Sequence, residues 1–305
     1  MKKETWLNEY FTPEKKHSHK IKKIIVKKKT KFQNAAIVDT YTFDRCLVLD
    51  GELQSSKSDE FIYHESLVHP AMLLHPNPKT IAILGGGEGA TLKEVLKHKS
   101  VINVKMIDID GEVVDFCKKH LKDWHANSFN DKRSKIIIDD AKVFLENTNE
   151  KFDVIISDLS CPIENTPAWQ LYTKEFYSML KTKLSKNGLF VLQAASCASP
   201  QIKMHSMIFN TLSKVFKKVF SFNAFVSSFD VPWAFIIATQ TEKQNPLKMQ
   251  PKQIDALITK RIKGKLRFYD GISHLHSFNL PKYIREILKK ERNVLSKKNP
   301  RFFYK

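Results

Sequence analysis

Cysteine is scarce in this chain: Cys46, Cys117, Cys161 and Cys197 are the only four in 305 residues, and none has CxxC spacing. That excludes a disulfide framework and a zinc knuckle. Nine glycines and 27% charged residues exclude a collagenous or silk-like chain, and 42% hydrophobic residues exclude a disordered one. No apolar run approaches the roughly 18–20 residues of a membrane span. The basic start Met1-Lys2-Lys3-Glu4-Thr5 leads into no apolar stretch, so a secretory signal is not expected. A globular cytoplasmic protein follows as the expectation.

Acidic residues are the minority, 32 against 51 Lys plus Arg, for a net charge of +19. Such an excess raises nucleic acid or another anionic surface as a partner. The charge is clustered, with nine lysines between Lys15 and Lys31 and a second group from Lys282 to Lys305. Lysine dominates arginine and no recognition helix or RNA-binding signature accompanies it, so a solvated surface is the simpler reading.

The first third reads as β. Ile21 to Val26, Phe32 to Val38 and Cys46 to Leu49 are short apolar runs, and Asp50-Gly51 is a tight-turn dipeptide. Residues 59–75 read as helix, closed by His75-Pro76-Asn77-Pro78. From Thr80 the pattern alternates. Apolar strands at Ile81–Leu84, Val104–Ile107, Ile136–Ile138, Val154–Ile156 and Leu189–Leu192 are separated by helical stretches. This predicts an α/β fold: a doubly wound, mostly parallel, Rossmann-like sheet of the methyltransferase type, behind a small N-terminal antiparallel β domain. The expected units are residues 1–57, 58–245 and a helical basic extension at 246–305.

In such sheets ligands bind beyond the carboxyl ends of the strands. Gly85, Gly87 and Gly89 form a G-x-G-x-G turn after the first strand, which suits a nucleoside of the adenosylmethionine kind better than a dinucleotide. Asp108 follows Gly89 by 19 residues and ends the second strand, where a carboxylate can accept from ribose hydroxyls. Asp140, after the third strand, can read an adenine amino group or simply cap a helix. Asp158 ends the fourth strand. With Glu88 and the acids of Asp59-Glu60-Phe61-Ile62-Tyr63-His64-Glu65, it points to a cationic ligand. His64 and His69 stand five apart, about 140° round a helix, so they do not make a zincin pair. No metal site is expected, and Cys161 has no evident base beside it.

These residues resemble those of the polyamine aminopropyltransferases. Leu49-Asp50-Gly51-Glu52-Leu53-Gln54, Asp59 to Glu65, His75 to Lys79 and Gly85 to Gly89 are similar to the spermidine synthase signature. Asp158 to Glu164, Gln170 to Tyr177 and the tail from Ile258 to Phe303 resemble the plant-type thermospermine synthases most. The resemblance implies aminopropyl transfer from decarboxylated S-adenosylmethionine, a co-substrate and not a resident cofactor, to spermidine, giving thermospermine and methylthioadenosine. Spermidine or spermine synthesis is the alternative within the family.

By the same resemblance Gln33, Tyr63, His64 and Glu88 surround the aminopropyl donor, with Glu88 on its ammonium. Asp108 takes the ribose, Asp140 with Ala141 the adenine, and Asp158 the proton. Cys161, Glu164, Phe229 and Trp233 fall on the acceptor side, Phe229 replacing a tyrosine common in spermidine synthases. Cys161 stands where spermidine synthases, and many thermospermine synthases, carry a second aspartate, a departure that bears on the acceptor and not on the donor site. A homodimer or homotetramer is the implied assembly. Two other classes stay open at this point: a methyltransferase, which Glu88 disfavours because it would repel an intact methionine carboxylate, and a polyanion-binding protein built on the transferase scaffold.

Overall fold

The computed structural model describes residues 4–12, 14–164 and 166–303. Five antiparallel strands, β1 (Thr5–Thr12), β2 (Lys15–Lys29), β3 (Asn34–Thr40), β4 (Asp44–Leu49) and β5 (Glu52–Ser56), pair in chain order as a first sheet. The lysine run thus forms most of β2, a 15-residue strand whose side chains are exposed or half-buried. Asp50 (φ +49°) and Gly51 (φ +86°) make the β4–β5 turn, where positive φ is what an Asp-Gly pair tolerates.

Helix α1 (Glu60–Leu74) leads to β6 (Thr80–Gly85), α2 (Ala90–Leu96), β7 (Asn103–Asp108), α3 (Gly111–His120), α4 (Lys122–His125), β8 (Ser134–Ile138) and α5 (Ala141–Asn147). The chain then crosses to the other side of β6 with β9 (Phe152–Asp158), α6 (Lys174–Thr182), β10 (Leu184–Ser196) and α7 (Ile202–Ser213). It ends this sheet with a hairpin, β11 (Lys218–Val226) and β12 (Val231–Thr239). The strand order is β11-β12-β10-β9-β6-β7-β8, with β8, β7, β6, β9 and β10 parallel and the hairpin antiparallel. Ile81 to Leu84 and Val154 to Ile156 have no exposed surface, as expected of strands covered on both faces. The order reverses between β6 and β9, so the crevice beyond Gly85 and Asp158, paired across these strands, is the natural ligand site.

Helices α8 (Pro251–Arg261), α9 (Gly271–Phe278) and α10 (Lys282–Lys290) follow. They are basic but not a loose appendage. Ile254 and Ile262 pack on Leu73 of α1, Phe278 stacks on Phe222, and Ile284 joins Ile202 and Ala234. Beyond α10, Leu295 and Phe303 enter the main core, and the Phe303 N–H donates to the Pro162 carbonyl at 2.8 Å. No helix among the described residues is long and apolar enough to cross a membrane.

Candidate active site

The carboxyl ends of β6, β7 and β9 meet at a cavity of about 260 Å³, walled on its far side by β4 and β5 of the first sheet. The glycine turn exists because there is no room for side chains. A Cβ on Gly85 (φ +80°) would lie 2.3 Å from the Asp158 carbonyl oxygen, and one on Gly87 would lie 2.8 Å from Asp108 Oδ2. Asp108 Oδ1 accepts from the Asp110 N–H at 2.9 Å, and burial pushes its carboxyl up to about 6. Asp140 caps α5 through Oδ1, which accepts from the Lys142 N–H at 2.7 Å, and it lines the cavity with Ala141. Capping and cavity lining are therefore both true of Asp140.

Asp158 is clamped. Oδ1 accepts from the Tyr63 hydroxyl at 2.8 Å and Oδ2 from the Thr91 hydroxyl at 2.5 Å. Burial raises its pKa against the opposing pull of His64 and these two hydroxyls. Burial and the Asp158 charge hold the Tyr63 phenol protonated, so it stays a donor. Beside them His64 is an imidazolium held from both ends. Burial opposes its charge, but Glu88 and Glu60 raise its pKa well above the usual range. Nε2 donates to Glu88 Oε1 at 2.7 Å and Nδ1 to Glu60 Oε2 at 2.9 Å. The other Glu88 oxygen accepts from Ser55 Oγ at 2.6 Å, and Trp124 Nε1 donates to that hydroxyl at 3.0 Å. This chain ties the first sheet to the glycine turn.

Aromatic rings wall another side. Phe229 stands 6.0 Å from Tyr63 and 4.9 Å from Trp233, both edge-on. Its segment is held by Asp59, which accepts from the Ser228 N–H at 2.6 Å. Cys161 lines the cavity with its buried thiol 4.0 Å from Gln193 Nε2. Burial, then the charge of Glu52, raises the thiol pKa, so it is a neutral group.

Of the residues expected from sequence, the cavity gathers Gln33, Tyr63, His64, Gly85, Gly87, Glu88, Asp108, Asp140, Ala141, Asp158, Cys161, Phe229 and Trp233; Glu164 stays outside its lining. Gln33 reaches it while donating to Asp110 Oδ2 at 3.1 Å. Thr91, Ser55 and Gln193 were not singled out from sequence. Gln193 carries a readable signal, a polar residue near the end of an otherwise apolar strand, and it donates to the Tyr172 hydroxyl at 2.7 Å. Seven carboxylates line the cavity (Glu9, Asp50, Glu52, Glu88, Asp108, Asp140, Asp158), and no lysine or arginine does among the described residues. In a chain of net charge +19 that is a strong local inversion. Among the described residues no cluster of His, Cys, Asp and Glu could hold a metal ion.

Fold and cavity together define a class: Rossmann-like α/β proteins whose strand ends open onto a ligand-sized pocket, here an acidic and aromatic one. Comparison with known proteins narrows it. Residues 60–249 match the spermine/spermidine synthase domain and residues 5–57 the spermidine synthase tetramerisation domain. The polyamine aminopropyltransferases of Sulfurisphaera tokodaii and Sulfolobus acidocaldarius are 47% and 45% identical, each alignment covering 97% of both chains. The spermidine synthase of Thermotoga maritima superposes with a TM-score of 0.84 at 29% identity, over 94% of this chain and 95% of that one. A spermidine synthase bound to the transition-state analogue AdoDATO superposes at 0.86, over 94% and 96%. The chain belongs to the spermidine synthase family. It is a polyamine aminopropyltransferase, with decarboxylated S-adenosylmethionine as co-substrate.

Proposed function

We propose that this enzyme transfers the aminopropyl group to spermidine and forms thermospermine. The observation that carries the chemistry is the Asp158 carboxylate, raised in basicity by burial and fixed by Tyr63 and Thr91 in a cavity that no lysine or arginine lines among the described residues. Asp108 receives the ribose hydroxyls and Asp140 with Ala141 the adenine. That sets the donor's reactive methylene, already activated by the positive sulfur, in front of Asp158.

The attacking amine is an ammonium near neutral pH, since its pKa resembles the lysine value of about 10.4. Asp158 takes its proton. The freed lone pair forms the new C–N bond while the C–S pair returns to sulfur, and methylthioadenosine leaves neutral. The remaining task is alignment, which rigid placement supplies as effective concentration. Tyr63, Phe229 and Trp233 offer ring faces along which a methylene chain with spaced charges can lie.

Spermidine as acceptor is supported by the likeness of 158–164, 170–177 and the tail to thermospermine synthases. Putrescine as acceptor is the second reading, favoured by the two superposing spermidine synthases. The strands β1 to β5, matching a tetramerisation domain, support a homotetramer. Incubation with decarboxylated S-adenosylmethionine and putrescine or spermidine, each alone, followed by chromatography resolving thermospermine from spermine, decides between them. Thermospermine from spermidine is expected; spermine, or product from putrescine only, would overturn this assignment.

A further inference from the structure

We infer that Glu52, on β5 of the N-terminal sheet, is the receptor for the acceptor's non-reacting ammonium, so that the enzyme selects amines carrying a second cationic nitrogen. The inference rests on the aminopropyl-transfer reading above and assigns the far end of the same cavity. Six of the seven lining carboxylates accept hydrogen bonds from the protein itself. Asp158 and Glu88 are held by the side chains described above. Asp108 and Asp140 accept from backbone N–H groups. Glu9 accepts from the Leu53 N–H at 2.7 Å and pairs with His19 at 2.9 Å, and Asp50 accepts from the Asn34 N–H at 2.8 Å.

The Glu52 carboxylate has no hydrogen-bond or ion-pair partner among the described residues, the Gln54 side chain donating to the Glu52 backbone carbonyl instead, although the residue is partly buried and lines the cavity. Burial, then the neighbouring charges of Glu9 and Asp50, push its carboxyl up to about 7. A carboxylate in that setting is costly unless a cation meets it, and among the described residues no lysine or arginine of the lining does so. Glu52 is also the charged group whose field reaches the Cys161 thiol. The loop after β9 thus presents a neutral residue where the sheet opposite presents an unpaired anion. An ammonium entering past Cys161 therefore finds its counter-charge on β5. The reacting nitrogen goes to Asp158, and the chain between them runs along Phe229 and Trp233.

The test compares three acceptors at saturating donor: spermidine, putrescine and n-butylamine, which has one reactive amine and no second charge. In Glu52→Gln the KM of the preferred polyamine should rise roughly tenfold or more, the scale of one charge-assisted hydrogen bond. The KM of n-butylamine and the calorimetric affinity for the donor should stay within about twofold on the same scale. Glu52→Asp should recover most of the loss, which a merely structural role would not give. An unchanged polyamine KM, or an equal rise for n-butylamine, would overturn the Glu52 assignment while leaving the transfer reaction intact. If the unaltered enzyme uses putrescine and not spermidine, thermospermine falls and Glu52 is judged on putrescine. Absence of transfer to any of the amines would overturn both.

Discussion

The acids at the start of α1 and the acids at the strand ends look alike in sequence and behave differently in the fold. Asp59, Glu60 and Glu65 sit within one seven-residue motif, and each is buried. Asp59 holds the Ser228 segment and Glu60 accepts from Lys93 Nζ at 3.0 Å. Glu65 accepts from the N–H groups of Arg267, Phe268 and Tyr269. None of the three lines the cavity, where only Tyr63 and His64 of that motif arrive. Asp108, Asp140 and Asp158 all do, although about 30 and 20 residues separate them in sequence. The reason is geometric. Successive residues of a helix point about 100° apart, so a contiguous motif scatters over several neighbours. The ends of parallel strands converge on one rim, so distant residues meet.

The contrast can be broken at its two extremes. Asp158→Asn keeps the size of the side chain and removes its basicity. We expect kcat to fall by about 10²–10⁴, the usual range for a positioned general base, with donor affinity by calorimetry little changed. A near-normal kcat would show that Asp158 only shapes the pocket. Glu65→Gln should do the opposite. Replacing a buried acceptor of three backbone N–H groups with a group that is half donor should cost about 3 kcal/mol of stability. It should lower the denaturant midpoint at fixed protein concentration while leaving kcat of the folded enzyme near normal. A large loss of kcat without loss of stability would place Glu65 with the strand-end acids after all.

The parts legible in the sequence are those with a local cause. The glycine turn, the apolar strands β6, β7, β9 and β10 and the helix at 59–75 each follow from a few adjacent residues, and the strand-end rule then locates Asp108, Asp140 and Asp158. What escaped is non-local. The apolar patch at Ile21 to Val26 marks only the middle of β2, because a half-exposed strand rich in lysine has little hydrophobic alternation. The basic tail looked separable because nothing in its composition shows Leu295 and Phe303 docking into the main core. Thr91 and Ser55 acquire their roles from partners 67 and 33 residues away. Glu52 stood inside a motif, yet its place beside Cys161 and Asp158 in one cavity comes from the packing of the two sheets and not from its neighbours in sequence.

Asp108 offers the finest probe, because it separates donor binding from turnover by pH alone. Burial raises its carboxyl to about 6, against an ordinary value of 3.8. As the acceptor for ribose hydroxyls it works best ionised, which holds above pH 6 in the free enzyme. The KM for decarboxylated S-adenosylmethionine should therefore rise as pH falls from about 7 to about 5, severalfold and without a matching fall in kcat at saturating donor over the upper part of that range. Asp108→Asn should raise the donor KM at neutral pH and abolish this dependence. If the dependence survives in Asp108→Asn, a group other than Asp108 controls donor binding and the assignment of Asp108 to the ribose falls.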